Sequence, residues 1–110
     1  METRQAFVIP DKDPHAVFAA AHAIALNPPK RFRTTGIYAP SFLILMETTP
    51  GVSSWGESIT IRVFTEPTGG SVLEILSQPF QRAALYDWGV GQRNVALLHN
   101  TITTYLNTLR

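Results

Sequence analysis

The side chains best suited to acid–base or metal chemistry near neutral pH are three histidines, His15, His22 and His99. His15 and His22 are seven residues apart on one predicted helix, which separates them by about 10.5 Å along its axis. That separation is too long for two ligands of a single metal ion. The chain contains no cysteine, which excludes thiol catalysis, disulfides and cysteine-based zinc sites. We therefore interpret the histidines as surface or helix-packing residues and expect no metal site.

The carboxylates are scattered rather than paired for catalysis. Glu57 and Glu66 flank one predicted strand, and we expect both to lie in solvated turns. Glu74 lies in the middle of another strand, where it can form a surface ion pair with Arg62 across the sheet. Asp87 and Glu47 have no obvious partner. No pattern singles out a general acid–base pair.

Polar residues near the C-terminal helix are the best candidates for an enzyme site: Asp87, Arg93, Asn94 and His99. Asn94 and His99 are five residues apart, which places them on different faces of a helix. The sequence contains no nucleophile elbow, phosphate-binding loop or dinucleotide fingerprint. These observations favour a protein without cofactors and lean against an enzyme.

Composition limits the partners. The chain has 110 residues, of which 45% are hydrophobic and 15% charged, and its formal net charge is +1. This length predicts one domain over residues 1–110. A nearly neutral protein lacks the basic field on which nucleic-acid binding depends. The one basic cluster, residues 30–33, is typical of an edge strand kept soluble by charge.

The most apolar N-terminal stretch, residues 16–26, follows two aspartates rather than a basic region. It does not match a secretory signal, and it falls short of the roughly 20 apolar residues that span a membrane. We expect a cytoplasmic protein with no membrane association.

The order of elements predicts an α+β fold. A strand precedes a helix in which Asp13 is the N-cap and Pro14 the first residue, and proline ends that helix after Leu26. Four strands and a long helix follow. The predicted bounds are strands over 5–10, 31–38, 42–48, 58–65 and 71–78 and helices over 14–26 and 91–109. Turn residues 66–70 predict a hairpin, so we expect an antiparallel sheet with both helices on one face.

Residues 42–48 do not fit a sheet with one wet face. Phe42, Ile44 and Met46 point to one side, whereas Leu43 and Leu45 point to the other. Strands that are apolar on both faces are usually covered on both. A ligand, a second subunit or the curl of the sheet must therefore cover the face that the helices leave open.

The most distinctive segment, residues 77–95, joins the last strand to the C-terminal helix. We expect Gly89 and Gly91 to give the backbone the freedom that the turn into the helix needs. Asp87 should cap the helix start, and Trp88 should pack the turn onto the sheet. Arg93 and Asn94 should form hydrogen bonds back to the preceding loop.

The same segment resembles the end of small uncharacterised bacterial domains of the START-like (helix-grip) superfamily, in which Asp-Trp-Gly followed by asparagine leads into the last helix. The order of elements is also similar to the TATA-binding-protein-like α+β fold. The motif covers residues 77–95 only, and the chain is shorter than a full helix-grip domain. Such families include lipid and polyketide binders, cyclases and many members of unknown role, so the resemblance implies a fold rather than a function.

Two functions outside catalysis compete. The first is a binding or assembly module, a homo-oligomer such as a dimer, that buries its open sheet face. The second is a binder of a small apolar ligand between the C-terminal helix and a curved sheet. The predicted lining of that gap is Phe64, Leu76, Val95, Leu98, Ile102 and Tyr105.

Overall fold

The computed structural model describes residues 2–50, 56–80 and 89–109. Its elements are β1 (Thr3–Ile9), α1 (Pro14–Leu26), β2 (Phe32–Tyr38), β3 (Leu43–Thr48), β4 (Glu57–Thr65), β5 (Ser71–Pro79) and α2 (Val90–Thr108). The strands form one five-stranded antiparallel sheet in the order β1-β5-β4-β3-β2. The predicted α+β order of strand, helix, four strands and long helix is confirmed.

Helix α1 begins and ends where the sequence predicts. The side chain of Asp13 accepts a hydrogen bond from the backbone N–H of Ala16 at 2.9 Å, which satisfies one of the free amides at the helix start. Pro14 supplies a fixed φ at the first helical position. Pro28 and Pro29 follow the C-cap Asn27 and prevent continuation.

Short turns join β2 to β3 and β4 to β5, whereas helix α1 lies between β1 and β2 in the chain. Strands β4 and β5 form a hairpin in which Thr65 pairs with Ser71 and Gly69 and Gly70 both have positive φ. Strand β1 pairs with β5 at one edge, while β2 lies at the other. Helix α1 therefore carries the chain across the whole width of the sheet, packing against β2, β3, β4 and β5 on the way.

The core lies between the sheet and the two helices. From β3, Ile44 and Met46 are buried on this side, and Leu43 and Leu45 point away from it. Phe42 precedes the strand, at φ 52° in the turn, so the predicted strand began one residue too early. The fully or nearly fully buried apolar residues that meet there are Val17, Ala20, Ala21, Ile44, Met46, Ile59, Ile61, Leu73, Ile75, Val95, Leu98, Ile102 and Leu106.

Helix α2 buries a narrower apolar stripe than its sequence predicts. In the sequence, apolar residues recur at 3-4-3-4 spacing and one further leucine widens the stripe: Val95, Leu98, Ile102, Tyr105, Leu109 and Leu106. Val95, Leu98, Ile102 and Leu106 are buried, whereas Tyr105 and Leu109 are each 38% exposed. A strict 3-4-3-4 spacing drifts around a straight helix of 3.6 residues per turn. Leu106, rather than Tyr105, therefore continues the stripe. No helix within the described ranges is long and apolar enough to cross a membrane.

Candidate functional site

Within residues 2–50, 56–80 and 89–109, no helix packs on one of the two faces of the sheet. We call this surface the open face, and it consists of the side chains that alternate with the buried ones. Its apolar members include three substantially exposed residues, Val8 (61%), Phe64 (44%) and Tyr38 (49%). The open face comprises Arg4, Ala6, Val8, Gly36, Tyr38, Leu43, Leu45, Thr60, Arg62, Phe64, Val72, Glu74 and Leu76.

Tyr38 extends the apolar surface over the edge strand. A Cβ atom at Gly36 would lie 2.7 Å from the Tyr38 ring, so the ring lies directly over the glycine. Gly36 pairs with Leu45, and Tyr38 pairs with Leu43. Glycine at position 36 thus lets the ring lie flat beside the two leucines. The result is a continuous apolar strip across β2 and β3.

Charged residues cross the middle of the open face. Arg62 and Glu74 lie opposite each other in the register of β4 and β5, the arrangement in which the sequence predicts an ion pair between them. The carboxylate of Glu74, however, forms its ion pair with Arg4 of β1, at 3.6 Å. Glu74 is mostly covered, with 20% of its side chain exposed. A second ion pair joins Arg33 of the edge strand β2 to Glu47 of β3, two residues along β3 from Leu45.

The six residues predicted to line a gap between α2 and the sheet do not come together. Val95, Leu98 and Ile102 are buried against the sheet, as expected for a lining or for a core. Phe64 and Leu76 lie on the open face instead, since each alternates with the buried residues of its strand. Tyr105 faces outward from α2. The prediction placed Phe64 and Leu76 on the face of the sheet that contacts α2, and it is wrong for these two residues.

A buried polar cluster lies where α2 begins. Asn94 Nδ2 donates to Ser77 Oγ at 3.5 Å, and the Ser77 hydroxyl donates to Glu57 Oε1 at 2.8 Å. The backbone N–H of Glu57 donates to Thr48 Oγ1 at 2.8 Å. Glu57 and Ser77 are completely buried. These contacts connect β3, β4 and β5 to the first turns of α2.

The prediction that Glu57 is a solvated turn residue is therefore wrong. Glu57 is the first residue of β4, and it shares a face with Ile59, Ile61 and Val63. That alternation is visible in the sequence and could have identified the carboxylate as buried. Residues at a strand end are easily taken for turn residues when only their polarity is considered.

The residues singled out at the start of α2 are only partly described. Gly89 has φ 74° and is the N-cap, the conformational role predicted for it. Gly91 is buried in the first helical turn, Arg93 is exposed, and Asn94 donates a hydrogen bond to Ser77 of β5. Asp87 and Trp88 lie outside the described residues.

The three histidines lie apart from one another and from the Glu57 cluster. His99 stacks on Phe7 of β1, and burial lowers the pKa of its imidazole below the usual value near 6.5. His15 and His22 lie on α1, where they contact Phe42 and Phe18 respectively. Among the residues that the structure describes, no three histidines or carboxylates are grouped closely enough to hold a metal ion.

Comparison with known proteins supports the fold. The sequence matches no protein-family model and no curated protein sequence. The structure is similar to a crystal structure of Ara h 8.0201, with a TM-score of 0.72 at 10% identity over 99% of both chains. It is also similar to SA2116, a protein of unknown function from Staphylococcus aureus, with a TM-score of 0.63 at 10% identity over 98% of this chain and 94% of that one. The chain therefore has a helix-grip α+β fold.

Proposed function

We propose that the protein is a non-catalytic assembly module that forms a homodimer by packing two open faces against each other. The observation that carries this proposal is the continuous apolar strip of Tyr38, Leu43 and Leu45, with Phe64 and Val72 beside it. Contiguous apolar surface bordered by polar residues is typical of an interaction site. Sheets pack face to face about 10 Å apart when their inner faces are apolar.

The charges on the open face support a second copy of the chain as the occupant. The proposed two-fold axis lies in the interface between the two copies, parallel to the strands and over the boundary between β4 and β5. Rotation by 180° about this axis places β4 of the second copy over β5 of the first. It places Arg62 opposite Glu74 of the second copy, because the two residues are paired in register. The same rotation places Phe64 opposite Val72, which keeps apolar residues together. Such self-complementarity is what a two-fold interface requires.

Sedimentation velocity over a range from micromolar to millimolar protein tests the proposal. We expect a dimer in the parent protein and a folded monomer in Phe64→Glu, because the new carboxylate would be buried against Val72 of the second copy. Leu97→Glu is the matched control, since Leu97 is 44% exposed on the outer side of α2. It should remain dimeric. A parent protein that stays monomeric throughout the range would refute the proposal.

A charge exchange tests the proposed orientation. Arg62→Glu places two carboxylates opposite each other and should weaken dimerisation, whereas Arg62→Glu combined with Glu74→Arg should restore it. Ile44→Glu, on the buried side of the same strand as Leu45, should unfold the domain. If both variants remain folded and the double variant dimerises no better than Arg62→Glu, this orientation is wrong.

A small apolar ligand between α2 and the sheet is the alternative. The helix-grip fold is compatible with it, but Val95, Leu98 and Ile102 already pack on the sheet in the described part of the chain. The polar cluster of Glu57, Ser77 and Asn94 does not favour an enzyme, because Glu57 and Ser77 are completely buried. A TATA-binding-protein-like relationship, a bacterial origin and a cytoplasmic location remain predictions from the sequence.

A further inference from the structure

A groove lies between α1 and the turn that joins β2 to β3, on the opposite side of the sheet from the open face. Its volume of about 560 Å³ is within the range of small-molecule sites. One wall is a single face of α1, and the other is the turn over Ala39–Ser41 with the residue that follows it. We call this site the α1 groove, and it is lined by His15, Phe18, Ala19, His22, Ala39, Pro40 and Phe42.

Four rings form a continuous series along the α1 groove. Phe42 stacks on Phe18 with ring centroids 5.1 Å apart and contacts His15 edge to face, also at 5.1 Å. Phe18 in turn contacts His22 at 5.9 Å. Phe42 is held at φ 52°, ψ 47°, a conformation that bulky residues rarely adopt. Its ring contacts with α1 keep the aromatic side of the groove in place.

Small residues leave the middle of the groove open. Ala19 is exposed and lies between His15 and His22 on the same helical face. Ala39 and Pro40, on the opposite wall, are exposed as well. A flat ring can therefore lie over Ala19 and contact Phe42 and Pro40.

The polar groups of the groove favour an anion. Its ionisable lining residues in the described chain are the two imidazoles, and no carboxylate lines it. Imidazole N–H groups donate hydrogen bonds, which a carboxylate accepts more strongly than a neutral oxygen does. His22 is less exposed than His15, so a hydrogen bond from His22 competes less with water.

We propose that the α1 groove binds a small planar aromatic carboxylate, with its ring over Ala19 and its carboxylate bonded to the imidazole of His22. This binding site is independent of the dimer proposed for the open face. Failure of one therefore leaves the other unaffected.

Titration of the ¹⁵N-labelled protein with 2-naphthoate, followed by NMR, tests this proposal. We expect saturable shifts centred on His15, Ala19, His22 and Phe42. The neutral analogue 2-naphthylmethanol should bind about tenfold more weakly, because it lacks the charged acceptor. Shifts that fail to saturate, or that are centred outside the groove, would overturn the proposal.

Two variants distinguish the parts of the site. Ala19→Leu fills the groove from an exposed position and should abolish saturable binding, whereas Ala96→Leu, at an exposed alanine of α2, should bind as the parent does. His22→Phe keeps a ring but removes the N–H donor, so it should abolish the preference for 2-naphthoate over 2-naphthylmethanol. His99→Phe removes an imidazole that lies outside the groove, stacked on Phe7, and should retain that preference. Unchanged binding by Ala19→Leu, or an unchanged preference in His22→Phe, would refute the assignment.

Discussion

The imidazole of His99 lies almost parallel to the ring of Phe7, with centroids 3.6 Å apart and an angle of 8° between the planes. This stack joins the middle of α2 to the edge strand β1. Burial lowers the pKa of His99 in the folded protein, because the cationic form would lose its hydration. The unfolded chain, with an imidazole pKa of about 6.5, therefore binds a proton more readily than the folded one.

The first prediction is that folding stability depends on the protonation of His99. Its contribution is complete above about pH 6.5, decreases as the pH falls below that value, and becomes constant below the lowered pKa of the folded state. Urea midpoints at pH 7.5 and pH 5 measure the change. His99→Phe retains a ring against Phe7 and should show a smaller loss over this interval. An equal loss of stability between pH 7.5 and pH 5 in the parent and in His99→Phe would show that other groups cause the pH dependence.

The second prediction concerns the hydroxyl of Ser77, which bonds to Glu57 and Asn94 inside the protein. Ser77→Ala should lower the free energy of unfolding by about 1–3 kcal/mol, because the buried carboxylate loses a hydrogen bond. Ser58→Ala, on the other face of the adjacent strand, should change it by about 0.5 kcal/mol or less. Denaturant titration of both variants provides the comparison. Equal effects would show that the cluster is not a stabilising network.

The third prediction uses two neighbouring glycines with nearly the same φ. A Cβ added at Gly69 (φ 93°) would meet no described atom within 4 Å, whereas a Cβ at Gly70 (φ 91°) would lie 2.6 Å from the carbonyl oxygen of Pro10. Gly69→Ala should therefore cost only the backbone strain, roughly 1–2 kcal/mol. Gly70→Ala should cost more, because backbone rather than a mobile side chain must move. Thermal unfolding should give the lower midpoint for Gly70→Ala, and the reverse order would contradict the packing of β1 on this hairpin.

The fourth prediction tests the start of α1. Asp13→Ala removes the acceptor for the Ala16 amide and should destabilise the protein by about 1 kcal/mol. Asp11→Ala removes the same charge two residues earlier, outside the helix, and should have a smaller effect. Chemical denaturation measures both. Equal losses would mean that charge, rather than capping, stabilises the helix start.

The sequence by itself determined the features that depend on neighbouring residues. The limits of α1 follow from a capping aspartate and flanking prolines, and the β4–β5 hairpin follows from its two glycines. These features are predictable because the groups that interact are only a few residues apart. The buried stripe of α2 was predictable for the same reason, apart from Tyr105 and Leu109.

The tertiary structure alone decided the features that depend on distant residues. Alternation in β3 shows two apolar faces, but only the position of the helices determines that Ile44 is buried and Leu45 lies open. Pairing of β1 with β5 likewise depends on the path of α1 across the sheet. The contact of Phe42 with Phe18 joins a turn to a helix 24 residues earlier, so no local pattern indicates the groove. Side-chain direction along a strand is fixed locally, whereas what covers each face is fixed only by packing.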